Sequence, residues 1–130
     1  MKNLKLFVTG MILCTAGLLI NCTGSETKSL AGTEWKGMAN VPDPNEIVLK
    51  FNETNCEAYH QNEMIENMKY SQKGSEILFE KVSGGSPCKV GSKGTYTFDI
   101  KDNKIHFSTV KDSCDARSGT FKEAYFAKQN

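Results

Sequence analysis

The side chains that could do chemistry in this chain are two histidines with acidic neighbours and five cysteines. His60 lies between Glu57 and Glu63, and imidazole and carboxylate groups can together bind metal ions, but this spacing matches no metal-binding motif. The sequence also contains no glycine-rich phosphate loop, no nucleophile elbow and no Cys-x-x-Cys pair. We therefore expect no enzymatic activity, no metal site and no cofactor. We interpret Glu57, His60 and Glu63 as exposed side chains.

The beginning of the chain has the pattern of an export signal that ends at a cysteine. Lys2 and Lys5 precede an uncharged run, residues 6–20, that is shorter than the roughly 20 residues of a membrane-spanning helix. The segment LINC, which ends at Cys22, resembles the lipobox of bacterial lipoproteins, in the relaxed form of spirochaete lipoproteins. This resemblance implies cleavage before Cys22 and acylation of its thiol. The alternative is a secretory signal that is cut elsewhere, with Cys22 an ordinary thiol.

The predicted division of the chain is a lipoprotein signal peptide (1–21), a lipidated tether (22–29) and one folded domain (30–130). The residues after Cys22, TGSETKS, are small and polar, as is typical of a linker. The formal net charge is +1 and no basic stripe is present, so we expect no nucleic-acid partner. The expected partner is a membrane, reached through the lipid anchor, in the bacterial cell envelope and within it the outer membrane.

Alternating apolar and polar residues after the tether predict short strands and no long helix. The clearest strands cover residues 46–51, 75–81, 95–100 and 104–110, residues 120–127 alternate less cleanly, and weaker strands are expected around 34–38, 56–61 and 67–72. Eight short strands without a crossover helix favour an all-β fold, a small antiparallel up-and-down barrel. The large residues expected to face inward, and to leave at most a shallow pocket near Cys88 and Cys114, are Leu49, Phe51, Phe79, Tyr96, Phe98 and Phe107.

One strand pair has a register that can be predicted from its turn. Asp102 and Asn103 suit a two-residue hairpin turn between two alternating segments. The pairs that follow from this turn are Ile100 with Ile105, Asp99 with His106, and Phe98 with Phe107. The apolar pairs then share one face, as a real hairpin requires, and we interpret Asp99 and His106 as an outward charge pair.

The order of the strands also predicts how the cysteines pair. Export favours disulfide formation, and successive connections of an up-and-down barrel alternate between its two ends. Cys88 lies in the predicted fifth connection and Cys114 in the seventh, so both lie at one end, while Cys56 follows the second connection at the other end. We predict a disulfide between Cys88 and Cys114 and a buried free thiol at Cys56. The alternative is that all three cysteines are reduced.

Three segments, LAGTEWKG, GTYTFDIKDNKIHF and DSCDARSGTF, resemble small bacterial lipocalin-like (calycin) lipoproteins. Other small secreted lipoprotein barrels are the alternative resemblance. Lipocalin-like proteins often carry apolar ligands, and in lipocalins an arginine near the last strand packs over a tryptophan of the first strand. The resemblance therefore implies structural roles for Arg117 and Trp35, the single arginine and tryptophan of the chain. A salt bridge from Arg117 to Asp112 or Asp115 is the simpler alternative.

These observations leave two classes of function open. In the first, the protein is an exported, membrane-anchored lipoprotein that binds a small apolar ligand in or at the mouth of its barrel. In the second, it is an interaction or structural lipoprotein with a filled barrel, whose surface contacts a macromolecular partner. A large internal void lined by Met64, Met68 and aromatic residues would favour the first class. A filled core with a broad exposed patch would favour the second.

Overall fold

Period-two alternation produces eight strands that close into a barrel, and one helix precedes the last strand. The structure is a computed structural model that describes residues 27–130, so the predicted signal peptide, Cys22 and the first part of the tether lie outside it. The elements are β1 (Glu34–Asn40), β2 (Pro44–Phe51), β3 (Asn55–His60), β4 (Glu63–Lys73), β5 (Glu76–Gly84), β6 (Lys93–Lys101), β7 (Lys104–Asp112), α1 (Asp115–Glu123) and β8 (Tyr125–Lys128). This order confirms the predicted small antiparallel up-and-down barrel, which is compatible with a lipocalin-like fold.

The barrel closes where β1 pairs antiparallel with β8. Gly37 lies opposite Phe126 in this pair, and a Cβ atom at Gly37 would collide with the backbone carbonyl oxygen of Tyr125. The lack of a side chain at Gly37 thus permits the close approach of the first and last strands. Closure leaves no unpaired edge strand in the barrel.

The β6–β7 hairpin has the predicted register. Asp102 and Asn103 form the turn with positive φ values of 51° and 58°, which these two residue types tolerate better than most. The predicted pairs Ile100–Ile105, Asp99–His106 and Phe98–Phe107 are all observed. His106 lies 3.8 Å from the carboxylate of Asp99, and its ring stacks on that of Tyr125. The turn chemistry and the alternation were thus sufficient to predict this part of the sheet.

The prediction of a strand over residues 120–127 is wrong in its first half. Residues 115–123 form α1, and the strand proper is only Tyr125–Lys128. Arg117 and Phe121 are the buried residues of this helix, and they are four positions apart, so they lie on one helical face. The poor alternation of the segment reflects this change from a helical period to a strand period. The helix continues through Gly119 to Glu123.

The two ends of the barrel are formed by different connections between strands. We call the end formed by the β1–β2, β3–β4, β5–β6 and β7–β8 connections the open end, and the other the closed end. Both terminal segments lie at the closed end: Gln72 of β4 bonds the backbone of Lys28 and Leu30, and the Lys128 amide donates to the carbonyl of Asn103 at 2.8 Å. Leu30 is 1% exposed and joins the core. The residues just before β1 therefore plug the closed end.

An aromatic cluster forms the centre of the core. All six residues predicted to face inward are buried, with exposed fractions of 0–5%. Phe79 is completely buried. Its ring centroid lies 5.5–6.3 Å from the ring centroids of four neighbours, Phe51, Tyr96, Phe107 and Phe121. The helix α1 thus adds Phe121 to a core that the strands begin. No helix within residues 27–130 is long and apolar enough to cross a bilayer.

Candidate ligand-binding cavity

An apolar cavity of about 790 Å³ enters the barrel from the open end. Three connections of that end contribute to its mouth, the strand residues His60 and Met64 flank the fourth, and inward-facing strand residues form its walls. Besides Cys88 and Arg117, the buried lining residues are Ile47, Leu49, Ala58, Met68, Phe121 and Phe126. Met64 and Ile65 continue the apolar lining toward the mouth. The volume falls in the range of small-molecule sites, which is roughly 300–1,000 Å³.

The cavity is larger than the shallow pocket predicted from the sequence, because inward side chains become smaller toward the open end. Along β1 the inward positions run from Trp35 at the closed end through Gly37 to Ala39. On β3, Ala58 stands at an inward position where a large residue would fill the space. The large inward residues used for the prediction are all buried, but they leave space open beside Ala58. Ala58 was the signal in the sequence for the cavity.

A buried ion pair lies where α1 meets the mouth. Arg117 donates from Nε and Nη2 to the two carboxylate oxygens of Asp112, each at 2.7 Å, and the Asp112 side chain is 1% exposed. The hydroxyl of Tyr96 and the amide of Cys114 also donate to this carboxylate. Gly94 lies opposite, where a Cβ atom would collide with the carboxylate of Asp112. Asp112 thus holds α1, β6 and β7 together at the open end.

These contacts shift the pKa values of both acidic groups. Burial alone would raise the pKa of Asp112, but the bonds from Arg117, Tyr96 and Cys114 outweigh it and hold that pKa below its ordinary value. Burial raises the pKa of the Tyr96 hydroxyl, and its bond to the Asp112 carboxylate raises that pKa further. Asp112 is therefore a stable anion and Tyr96 a stable neutral donor. Neither group is poised to exchange a proton near neutral pH.

A second buried ion pair fastens the β5–β6 connection to the cavity wall. Lys81 is 3% exposed, and its ammonium lies 3.4 Å from the carboxylate of Glu66. The same ammonium donates to the carbonyl and hydroxyl oxygens of Ser86, at 2.8 and 2.9 Å. Sequence reasoning missed this pair, although Lys81 is in phase with the inward residues Ile77 and Phe79 of the same strand. A lysine at an inward position was the signal that a buried partner exists.

The cysteines of the domain have the predicted arrangement. Cys88 and Cys114 form a disulfide with a Cα–Cα distance of 5.4 Å, which links the β5–β6 connection to the residue before α1. Cys88 also lines the cavity. Cys56 is a buried free thiol, and burial raises its pKa so that it stays protonated and unreactive. The disulfide therefore restrains two of the connections that form the mouth.

Trp35 and Arg117 lie toward opposite ends of the barrel. Arg117 therefore does not pack over the Trp35 ring, as the resemblance to lipocalins had implied. The indole of Trp35 donates to the hydroxyl of Thr33 at 2.7 Å, near the closed end, whereas Arg117 is at the open end. The alternative salt bridge to Asp112 is the one observed, and Asp115 is exposed. Both named residues are buried, Trp35 at 1% and Arg117 at 7% exposed.

The residues around His60 are not gathered into a site. Glu57 accepts a hydrogen bond from the Tyr59 hydroxyl at 2.8 Å, and Glu63 is exposed. His60 lines the mouth of the cavity, with Nδ1 at 3.1 Å from the carbonyl oxygen of Glu46. Within residues 27–130, no group of three histidine, cysteine or acidic side chains could hold a metal ion. The place of His60 at the mouth was not predicted.

Comparison with protein-family models, curated proteins and solved structures found no match to this chain. The barrel and its cavity are therefore what indicates function. An apolar interior with a polar mouth can remove an apolar molecule from water and fix its orientation. The charged groups at this mouth are engaged with each other, which suits binding better than proton transfer or nucleophilic attack.

Proposed function

We propose that this protein is an exported lipoprotein of lipocalin-like type that binds a small apolar molecule in the cavity of its barrel and does not act as an enzyme. The observation that carries the proposal is the cavity of about 790 Å³ lined by Met64, Met68, Phe121 and Phe126. A void with methionine and aromatic walls is the feature that distinguishes a carrier from a barrel with a filled interior. Methionine side chains also adapt to ligands of irregular shape.

Burial of the ligand supplies the binding energy in this proposal. The six buried lining residues offer aliphatic and aromatic surface on several strands and on α1. Transfer of apolar surface from water contributes about 25 cal/mol per Å², so enclosing a molecule that exposes roughly 300 Å² of such surface contributes about 7.5 kcal/mol before the entropic costs of binding. Apolar burial is thus the main favourable contribution to binding, and the net affinity is what remains after those costs are subtracted.

The test is titration of the domain with N-phenylnaphthylamine, an uncharged dye whose fluorescence rises in an apolar site. We expect saturable one-to-one binding to the unmodified domain. Ala58→Phe places a ring into the cavity, so it should weaken dye binding by about tenfold or more, because the ligand then has to compete with a covalently attached side chain. The readout is the dye concentration at half-saturation.

The matched control is Val110→Phe, since Val110 is 60% exposed on the outside of the barrel. This change adds the same ring without entering the cavity, and dye binding should stay unchanged. Equal loss of binding in both variants would place the dye elsewhere on the protein. If the unmodified domain binds no dye, the carrier function is wrong, and the interaction or structural lipoprotein becomes the better hypothesis.

The lipid anchor is tested at Cys22, which lies outside the described residues. The motive is the positively charged start, the uncharged run and the LINC segment before the small polar residues. We expect Cys22→Ser to move the protein from the membrane fraction to the soluble fraction and to leave its signal peptide uncleaved or cleaved elsewhere. Cys56→Ser is the control, because that thiol is buried in the barrel. A Cys22→Ser protein that stays in the membrane fraction with normal processing would contradict the lipoprotein proposal.

A further inference from the structure

The charges around the cavity restrict which molecules it accepts. Glu66 and Arg117 are the charged residues of its lining, and each faces a buried partner of opposite sign, Lys81 and Asp112. The four charges sum to zero. Resting on the proposed function, we propose that the cavity selects an uncharged apolar molecule, such as a long-chain alcohol or ester, over a fatty-acid anion of the same shape.

The positive charge of Arg117 is already neutralised by Asp112 and is not available to bind an anionic ligand. Its Nε and Nη2 atoms bind both oxygens of Asp112, and Nη1 donates to the carbonyl of Ser92 at 3.3 Å. The bidentate contact with Asp112 neutralises the guanidinium. The two N–H bonds of Arg117 that make no such contact can still donate to a neutral oxygen. Arg117 therefore suits a hydroxyl, ether or ester group better than a second carboxylate.

Lys81 is engaged more completely. An ammonium group has three donors, and those of Lys81 are directed to the two oxygens of Ser86 and to Glu66. Glu66 lines the cavity and Lys81 does not, so an entering anion meets a carboxylate before it meets the ammonium. This arrangement repels an anion at the wall where a fatty-acid binding site would present a cation.

His60 is the remaining titratable group of the lining, and it cannot replace a buried cation. It lies at the mouth, partly exposed, with Nδ1 against the carbonyl oxygen of Glu46. Water screens a charge at such a position. A carboxylate that enters the apolar part of the cavity thus loses its hydration and finds no free counter-charge, whereas a hydroxyl loses far less.

The experiment compares two competitors with equal chain length, dodecanol and laurate, for displacement of bound N-phenylnaphthylamine from the domain. We expect dodecanol to displace half of the dye at a concentration about tenfold lower than laurate does, because only laurate carries a charge to be desolvated. Displacement by laurate at an equal or lower concentration would overturn the inference while leaving the carrier function intact. Absence of dye binding would instead overturn the carrier function, and this inference with it.

A variant pair tests whether the buried charges cause the selectivity. Glu66→Gln keeps the shape of the wall but leaves the Lys81 ammonium without its carboxylate partner. We expect this change to improve displacement by laurate several-fold relative to dodecanol. Glu63→Gln is the matched control on the same strand, at an exposed position outside the cavity lining, and it should leave the ratio unchanged. An unchanged ratio in a folded Glu66→Gln variant would show that the ion pairs do not set ligand choice.

Discussion

Asp112→Ala is expected to lower the free energy of unfolding by about 3–5 kcal/mol, because it leaves a buried arginine without its counter-charge. The change also removes the acceptor used by the Tyr96 hydroxyl and the Cys114 amide. Domains of this size are stable by only about 5–15 kcal/mol, so the variant should lie close to the limit of folding. Urea denaturation of both proteins, with a comparison of the midpoints, measures the difference.

Asp115→Ala is the control for this prediction. Asp115 is exposed in the first turn of α1, where a carboxylate contributes less than about 1 kcal/mol through the helix dipole. A cost for Asp115→Ala equal to that for Asp112→Ala would show that the loss comes from the helix end rather than from the buried ion pair.

The carboxylate of Asp112 should also make the free energy of unfolding depend on pH in the acid range. Its folded-state pKa lies below that of the unfolded chain, so its contribution is fully present above the ordinary aspartate pKa of about 3.9 and is lost as pH falls below it toward the folded-state value. Unfolding free energies measured over this acid range should therefore fall more steeply for the unmodified domain than for Asp112→Ala. Parallel curves would contradict the assigned role of Asp112.

Phe79→Ala is expected to cost about 3–5 kcal/mol, the range for deletion of a buried aromatic ring. Phe79 is completely buried, and its ring packs against aromatic residues of other strands and against Phe121 of α1. Its loss opens a void in the aromatic cluster and removes a stacked neighbour of the helix. The prediction is checked by thermal unfolding followed by circular dichroism.

Tyr125→Ala provides the comparison for an exposed ring. Tyr125 is 60% exposed and stacks on His106 outside the barrel, so its removal should cost less than about 1 kcal/mol. If Phe79→Ala were no more damaging than this variant, the aromatic cluster would not be the main stabilising part of the core.

Much of the barrel could be predicted because local signals and the global fold agree. The turn at Asp102 and Asn103 determines the β6–β7 register, and the strand order places Cys88 beside Cys114. Residues 120–123 were mispredicted because a helix and a half-buried strand compete in so short an apolar segment, and the contact of Phe121 with the core decides between them. That contact joins distant parts of the chain and has no local signature.

The cavity was underestimated for a different reason. Large inward residues are conspicuous in a sequence, and Phe51 and Phe107 were correctly placed in the interior. Empty space arises from the position of a small inward residue such as Ala58 relative to the residues of neighbouring strands, which depends on register. The buried partner of Lys81 likewise requires knowing that Glu66 lies on the adjacent strand. Both features are long-range properties of the closed barrel.

Residues 28–30 and Lys128 both lie at the closed end, and this position determines which end of the barrel faces a point of attachment. Gln72 fixes Lys28 and Leu30 there, and the Lys128 amide is bonded to Asn103 beside them. Strands of nine residues such as β6, rising about 3.3 Å per residue with a tilt near 40°, give a barrel about 23 Å high. An attachment made directly at Lys28 or at Lys128 is thus separated from the mouth by the height of the barrel, and the mouth is left pointing away from the support and free to exchange molecules with the surrounding solution.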